Sequence, residues 1–180
     1  MEHAHTLVVL VEDQPGVLNR VVSLLRRRSF NIDSITVGHS EQPGMSRMTL
    51  VVRGEDADVE QAGKQLYKLL EVMKVTDLSE GEAITREMVM VKVAAKGQSR
   101  SEILQIAQVY NARVLDATPT TLMIEATGDE AQIDSFLTMM RVFGIREMVR
   151  SGKIAMSRTS GTSRQGKSDA PSNGVYAAAD

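Results

Sequence analysis

Hydrophobic and polar positions change period several times along the chain, and each change marks a predicted element. Residues 5–11 (HTLVVLV) are apolar and β-branched, which predicts a buried strand. Pro15-Gly16 stops it. The period then lengthens, so that Val17, Leu18, Val21, Val22, Leu24 and Leu25 share one face of a helix running to about Arg28. Its last turn carries Arg26-Arg27-Arg28, where cations offset the helix dipole. Residues 31–38 alternate and predict a second strand, 41–44 (EQPG) a turn, and 45–53 a third strand. After Gly54-Glu55-Asp56, Asp58 and Gln61 are spaced as a capping pair for a helix through Val59, Ala62, Leu66, Leu69 and Leu70. Residues 72–78 (VMKVTDL) predict a fourth strand. The order β-α-β-β-α-β is the split βαβ, ferredoxin-like arrangement.

The same order then recurs. Residues 86–95 predict a strand, and Ser99-Arg100-Ser101-Glu102 reads as a capping box opening a helix through Ile103, Leu104, Ile106, Ala107 and Tyr110. Strands follow at 112–117 and 122–127, then a helix through Ile133, Phe136, Leu137, Met140 and Phe143 with Asp129 and Gln132 as its capping pair, then a strand at 145–150. Residues 48–56 (MTLVVRGED) and 122–130 (LMIEATGDE) hold the same place in the two halves: strand, glycine, acid, helix. The predicted fold is therefore α+β, two ferredoxin-like βαββαβ domains. The first spans residues 1–78 and the second 79–158, with the boundary at the polar stretch 79–82 (SEGE). Residues 159–180 are rich in Ser, Gly, Thr and Ala and predict a disordered tail.

Two helices cover only one face of a four-stranded sheet, and a unit of about 75 residues is marginal alone. The bare face and sheet edges call for a partner, so an obligate dimer of chains is expected.

Composition narrows the function. Net charge is -2, against a nucleic-acid partner, and no cysteine is present for a disulfide, a thiolate or a Cys-based metal site. No apolar run is long enough to span a membrane, and a reducing cytoplasm is the expected location. Aromatics are only 3%, so the core should be aliphatic, with Met45, Met48, Met73, Met88, Met90, Met123, Met139, Met140 and Met148 as filler, or in part a partner surface. Catalysis has little support: there is no GxSxG, Walker A, GxGxxG or HExxH pattern. His3, His5 and His39 lack metal-ligand spacing and read as surface residues.

Residues 12–37 (EDQPGVLNRVVSLLRRRSFNIDSITV) hold what a free amino acid needs. First-turn amides of a helix suit a carboxylate, acidic side chains suit an ammonium, and an apolar wall suits an aliphatic side chain. Glu12 and Asp13 are solvated turn acids or, more sharply, ammonium contacts. The Asn31 amide has donors and an acceptor for either end of an α-amino acid.

The opening LVEDQPGVLNRV resembles the first turn of ACT domains, small-molecule sensing modules. Residues 30–37 (FNIDSITV), 46–49 (SRMT), Lys64-Gln65-Leu66, 72–78, 86–93 (REMVMVKV) and 150–152 (RSG) resemble the small regulatory subunit of acetolactate synthase (acetohydroxyacid synthase) over residues 5 to about 158. That resemblance implies a subunit with no catalytic site and no cofactor of its own. It would bind a large catalytic subunit that uses thiamine diphosphate, Mg²⁺ and FAD to condense pyruvate with pyruvate or 2-oxobutyrate. It would raise that activity and confer feedback inhibition by a branched-chain amino acid, usually L-valine, held between two ACT domains. The effector positions fall on Asp13, Gly16, Asn31 and Ile32; many family members carry Asn where Asp13 stands. A stand-alone amino-acid-sensing ACT protein acting on a different enzyme is the alternative.

Overall fold

Alternation along β1 (His3–Glu12) puts Leu7, Val9 and Val11 on one side of the first sheet, where all three are buried under two helices. These are α1 (Val17–Arg27) and α2 (Asp56–Leu66). The remaining strands are β2 (Asn31–His39), β3 (Met45–Gly54) and β4 (Val72–Asp77), in the antiparallel order β2-β3-β1-β4. Val21, Leu25, Leu50, Val52 and Leu66 complete a core of aliphatic side chains. Each buries enough surface to contribute roughly 1.5–3 kcal/mol.

The second unit repeats this plan with β5 (Ala83–Ala94), α3 (Gln98–Val109), β6 (Arg113–Ala117), β7 (Thr121–Gly128), α4 (Glu130–Arg141) and β8 (Ile145–Arg150). Its order, β6-β7-β5-β8, is the first sheet's order over again, and Val89, Val91, Val93, Ile124, Phe136 and Leu137 fill its core. The computed structural model describes residues 3–78 and 83–158. Both the expected boundary at 79–82 and the expected tail at 159–180 lie outside them.

A strand the sequence pattern did not reveal, β9 (Ile154–Ser157), pairs with the first four residues of β5, Ala83–Arg86. This two-stranded ribbon lies on the helix-free face of the first sheet. Val8, Leu78 and Ala155 form a small buried cluster there with Ala83 against it. Thr6, Thr49 and Val51, all on that face, are buried as well. Thr36 Oγ1 donates to Ser151 O at 3.3 Å, and Arg47 Nη2 reaches Ala155 O at 3.5 Å. Gly152, at φ 78°, sits where a Cβ would stand 3.0 Å from Thr36 Oγ1.

Several local expectations need correction. The cap of α2 is Glu55, extended and making no side-chain capping bond, so Asp58 is not the cap. The helix ends at Leu66, and Leu70 is almost fully exposed because the chain has already turned toward β4. Ser99 does not cap α3; Gly97 does, and the Ser99 hydroxyl bonds Lys96 instead. Asp129 and Gln132 form the full reciprocal box at α4. Of the nine methionines read as filler, Met48 and Met140 are buried, whereas Met73, Met88, Met139 and Met148 are exposed. His5 is buried, at 3% exposure, because it continues the inward-facing row of β1.

Candidate functional site

Gly16 is the cap of α1 and takes φ 88°, a left-handed conformation open to glycine at little cost. A Cβ there would meet no heavy atom within 4 Å, so the turn faces open space. The helix geometry leaves the first three amides without a carbonyl acceptor in a preceding turn, and a glycine cap supplies no side chain to take them. Val17 N–H is turned back to Gln14 O at 3.3 Å, and the next amides, at Leu18 and Asn19, head the helix on the side a carboxylate would approach.

Asp13 follows the end of β1. Its N–H donates to Gly44 O at 2.8 Å, and its Oδ2 lies 3.3 Å from His39 Nδ1 at the end of β2. Glu12 is occupied by Gln14, whose Nε2 donates to Glu12 Oε2 at 2.8 Å. Asp13, rather than Glu12, is therefore the acid presented at this turn.

Asn31 and Ile32 open β2. Asn31 Nδ2 donates to Asp33 Oδ1 at 3.1 Å, and Arg53 Nε holds the other Asp33 oxygen at 2.7 Å. Ile32 is half-buried against the first core. Asp33 and Arg53 are not predicted as site residues, and His39 reads from sequence only as a surface residue, since the Arg53–Asp33 and His39–Asp13 contacts join stretches distant in sequence.

The four predicted residues do not converge within one chain. Glu12 pairs with Met45 at the start of β3, whereas Asn31 pairs with Arg53 near its end. Eight steps of strand separate those levels, about 27 Å at roughly 3.4 Å per residue. Asp13 and Gly16 stand at one end of the sheet, Asn31 and Ile32 at the other. An open cleft of about 490 Å³ lies near the latter end, between Arg28, Phe30, Arg53, Asp58 and Gln65, but none of the four residues lines it.

A ferredoxin-like unit with an uncapped glycine turn after its first strand, followed by a second unit of the same topology, defines a two-part protein of the ACT class. Family models agree: "AHAS small subunit-like ACT domain" matches residues 7–74, and "Small subunit of acetolactate synthase" matches residues 86–159. A probable acetolactate synthase small subunit of Methanothermobacter thermautotrophicus is 50% identical over 159 residues, covering 88% of this chain and 95% of that one. The acetolactate synthase small subunit of Mycobacterium leprae is 46% identical over 154 residues, 86% and 91% of the two chains. The crystal structure of the small subunit from Thermotoga maritima superposes with a TM-score of 0.81 at 37% identity, covering 87% of this chain and 98% of that one. The chain belongs to the acetolactate synthase small-subunit family. Among the described residues, no helix is long and apolar enough to cross a membrane.

Proposed function

We propose that this chain is a non-catalytic regulatory subunit that senses a branched-chain amino acid, L-valine foremost, at a site shared between two copies. It acts in the cytoplasm on the large catalytic subunit of acetolactate synthase, whose thiamine diphosphate, Mg²⁺ and FAD belong to that partner. The observation carrying this reading is the placement of the site's two halves at opposite ends of one sheet.

Among the described residues β2 is an edge strand, paired only with β3. A second copy added antiparallel across that edge, about a twofold axis near Ile35, would set Asn31 opposite His39 of the second copy. His39 is the residue whose ring touches Asp13. The Asn31–Ile32 half of each copy would then meet the Asp13–Gly16 half of the other, twice per dimer.

In that arrangement the effector carboxylate takes the uncapped amides at the head of α1. Its ammonium takes the Asp13 carboxylate and the Asn31 carbonyl oxygen, and its aliphatic side chain packs on Ile32. An effector held by both copies stabilises one arrangement of the pair, and only such differential affinity can shift the activity of a bound enzyme. The domain beginning near residue 79 would pass that preference on to the partner.

Reconstitution with the catalytic subunit tests the assignment. Gly16→Asp puts a side chain with a negative charge where the effector carboxylate should lie, and Asn31→Ala removes the opposite clamp. Both variants should lose valine inhibition and keep activation. Full valine sensitivity in both would remove the site from these residues.

A further inference from the structure

We propose that His3, His5 and Asp56 form a binding site for a divalent transition-metal ion, with zinc the best match to the ligand set. The proposal goes beyond the regulatory reading and holds whether or not that reading stands.

The backbone builds this site. His3 and His5 are two residues apart on β1, so both side chains emerge on the helix-covered face. His3 pairs with Gly54 and His5 with Val52, at the level where β3 ends. Two residues after Gly54 the chain enters α2, whose first residue is Asp56. Asp56 Oδ1 lies 2.9 Å from His3 Nε2 and 3.5 Å from His5 Nε2. One ligand atom from each of the three residues falls within 4.8 Å of the others. A tetrahedral zinc ion with bonds of about 2.0–2.1 Å holds its donors roughly 3.4 Å apart, so these atoms need move little to share one.

His5 carries the argument. It is 3% exposed, and neither of its ring nitrogens makes a hydrogen bond. Buried polar side chains in folded proteins are nearly always satisfied. A charged His3–Asp56 surface pair would account for the 2.9 Å contact but leaves His5 unexplained. A metal ion on Nε2 uses one nitrogen. Asp77 Oδ2, 3.9 Å from His5 Nδ1 on the other side of the ring, stands where a carboxylate would orient a metal-bound imidazole. Two imidazoles and a carboxylate favour zinc or cobalt over magnesium or calcium, which prefer oxygen throughout. His3 and Asp56 keep the entrance open, with side chains 53% and 79% exposed.

The repeat supplies a second line of argument. Glu87 pairs with Gly128 as His3 pairs with Gly54, so the two sites are the same corner of the two units. In the second unit that corner is closed by a cation: Arg150 binds the buried Glu87 through two nitrogens and Asp134 Oδ1 at 2.8 Å. In the first unit the corner has imidazoles and a carboxylate, and a bound metal ion would supply the positive charge.

Equilibrium dialysis of the full chain against Zn²⁺, with Co²⁺ absorption as the geometric readout, tests this. One ion per chain is expected, with the visible bands of tetrahedral cobalt and their loss on adding zinc. Asp56→Asn and His3→Gln alter exposed groups and should leave the fold intact by circular dichroism. Each should weaken zinc by more than the roughly 10- to 100-fold that losing a mere hydrogen-bond partner of a ligand costs. Zinc should raise the Tm of the parent chain and not that of Asp56→Asn. Absence of saturable zinc binding by the parent chain would overturn the proposal. So would binding that survives unchanged in either Asp56→Asn or His3→Gln.

Discussion

In the first unit the chain leaves β1 through Pro15, and α1 opens on a left-handed glycine with no side-chain cap. In the second unit it leaves β5 through Lys96 and Gly97, and the Ser99 hydroxyl folds back on the turn. That hydroxyl accepts from Lys96 N–H at 3.1 Å and donates to Lys96 O at 2.7 Å. Both first helices thus start on a positive-φ glycine without a side-chain cap, but only in the second unit does a serine of the helix brace the turn ahead of it. The second helix of each unit differs likewise: α2 starts without a side-chain cap, and α4 starts with a complete capping box. Both units leave their first helix through a left-handed residue that is not glycine, Ser29 and Asn111, so the shared topology persists down to single dihedral angles. What has diverged is the satisfaction of polar groups. The extra serine bonds brace the second unit's turn, which is consistent with the proposed placing of the effector site in the first unit.

The sharpest way to break that contrast is to unbalance the second unit's closed corner. Arg150→Met leaves Glu87, 7% exposed, as a buried carboxylate without its cation. Orphaning a buried charge costs about 3–5 kcal/mol, and the partial exposure of Arg150 places the expected loss near the lower end, about 3 kcal/mol. Chemical denaturation should show it, and Glu87→Gln combined with Arg150→Met should recover most of it. Equal losses in the single and double variants would mean the corner acts through packing rather than charge.

The caps give a smaller and more local test. Asp129→Ala removes one half of a reciprocal box and should cost about 1 kcal/mol. Asp58→Ala, at the position spaced like a cap in the first unit, should stay within about 0.5 kcal/mol of the parent. If the two costs matched, the difference between the helix starts would have no energetic content.

That pair of residues also shows what the sequence could and could not convey. An Asp three residues before a Gln is visible as a spacing at both 58–61 and 129–132. Only the chain's exit from β3 decides that α2 begins earlier, at Asp56. The strands were legible because alternation is a local property, and β5, with Val89, Val91 and Val93 inward, displays it over its whole length. β9 was not, since four residues after Gly152 are too few for a period and owe their strand state to β5 and the first sheet. The methionines misled for a related reason. Composition gives their number, but position in the sheet puts Met88 and Met90 on the helix-free face of β5, away from the core. Of the candidate site, Gly16 and Asp13 could be read locally. The distance to Asn31 depends on antiparallel register through β3, which no single stretch of sequence carries. His5 was invisible as a buried group for the same reason.

The faintest expected effect concerns the faces without helices. Val8 pairs with Thr76 in the first sheet and is buried beneath the ribbon of β5 and β9. The matching pair in the second sheet is Lys92 and Glu147, joined at 2.7 Å on a face with nothing over it among the described residues. The hydrogen bond from Lys92, and then its charge, hold the Glu147 carboxyl below its ordinary value. A carboxyl whose pKa is lower in the folded state stabilises above its unfolded pKa, and that contribution fades as pH falls through the lower folded value. The window therefore lies at and below the ordinary carboxylate range and leaves neutral pH untouched. Solvent screening keeps the contribution small. In an NMR titration Lys92→Met should return Glu147 to the ordinary range, with a slight loss of Tm at neutral pH that vanishes in acid. A Glu147 titration unmoved by Lys92→Met would show the pair to be too loosely held to matter. A partner docked over this face would instead change the shift, since removing water strengthens the pull of Lys92 and also penalises the charged carboxylate. Repeating the titration with the catalytic subunit present would therefore report whether the second unit's bare face is covered in the complex, as the ribbon covers the first unit's.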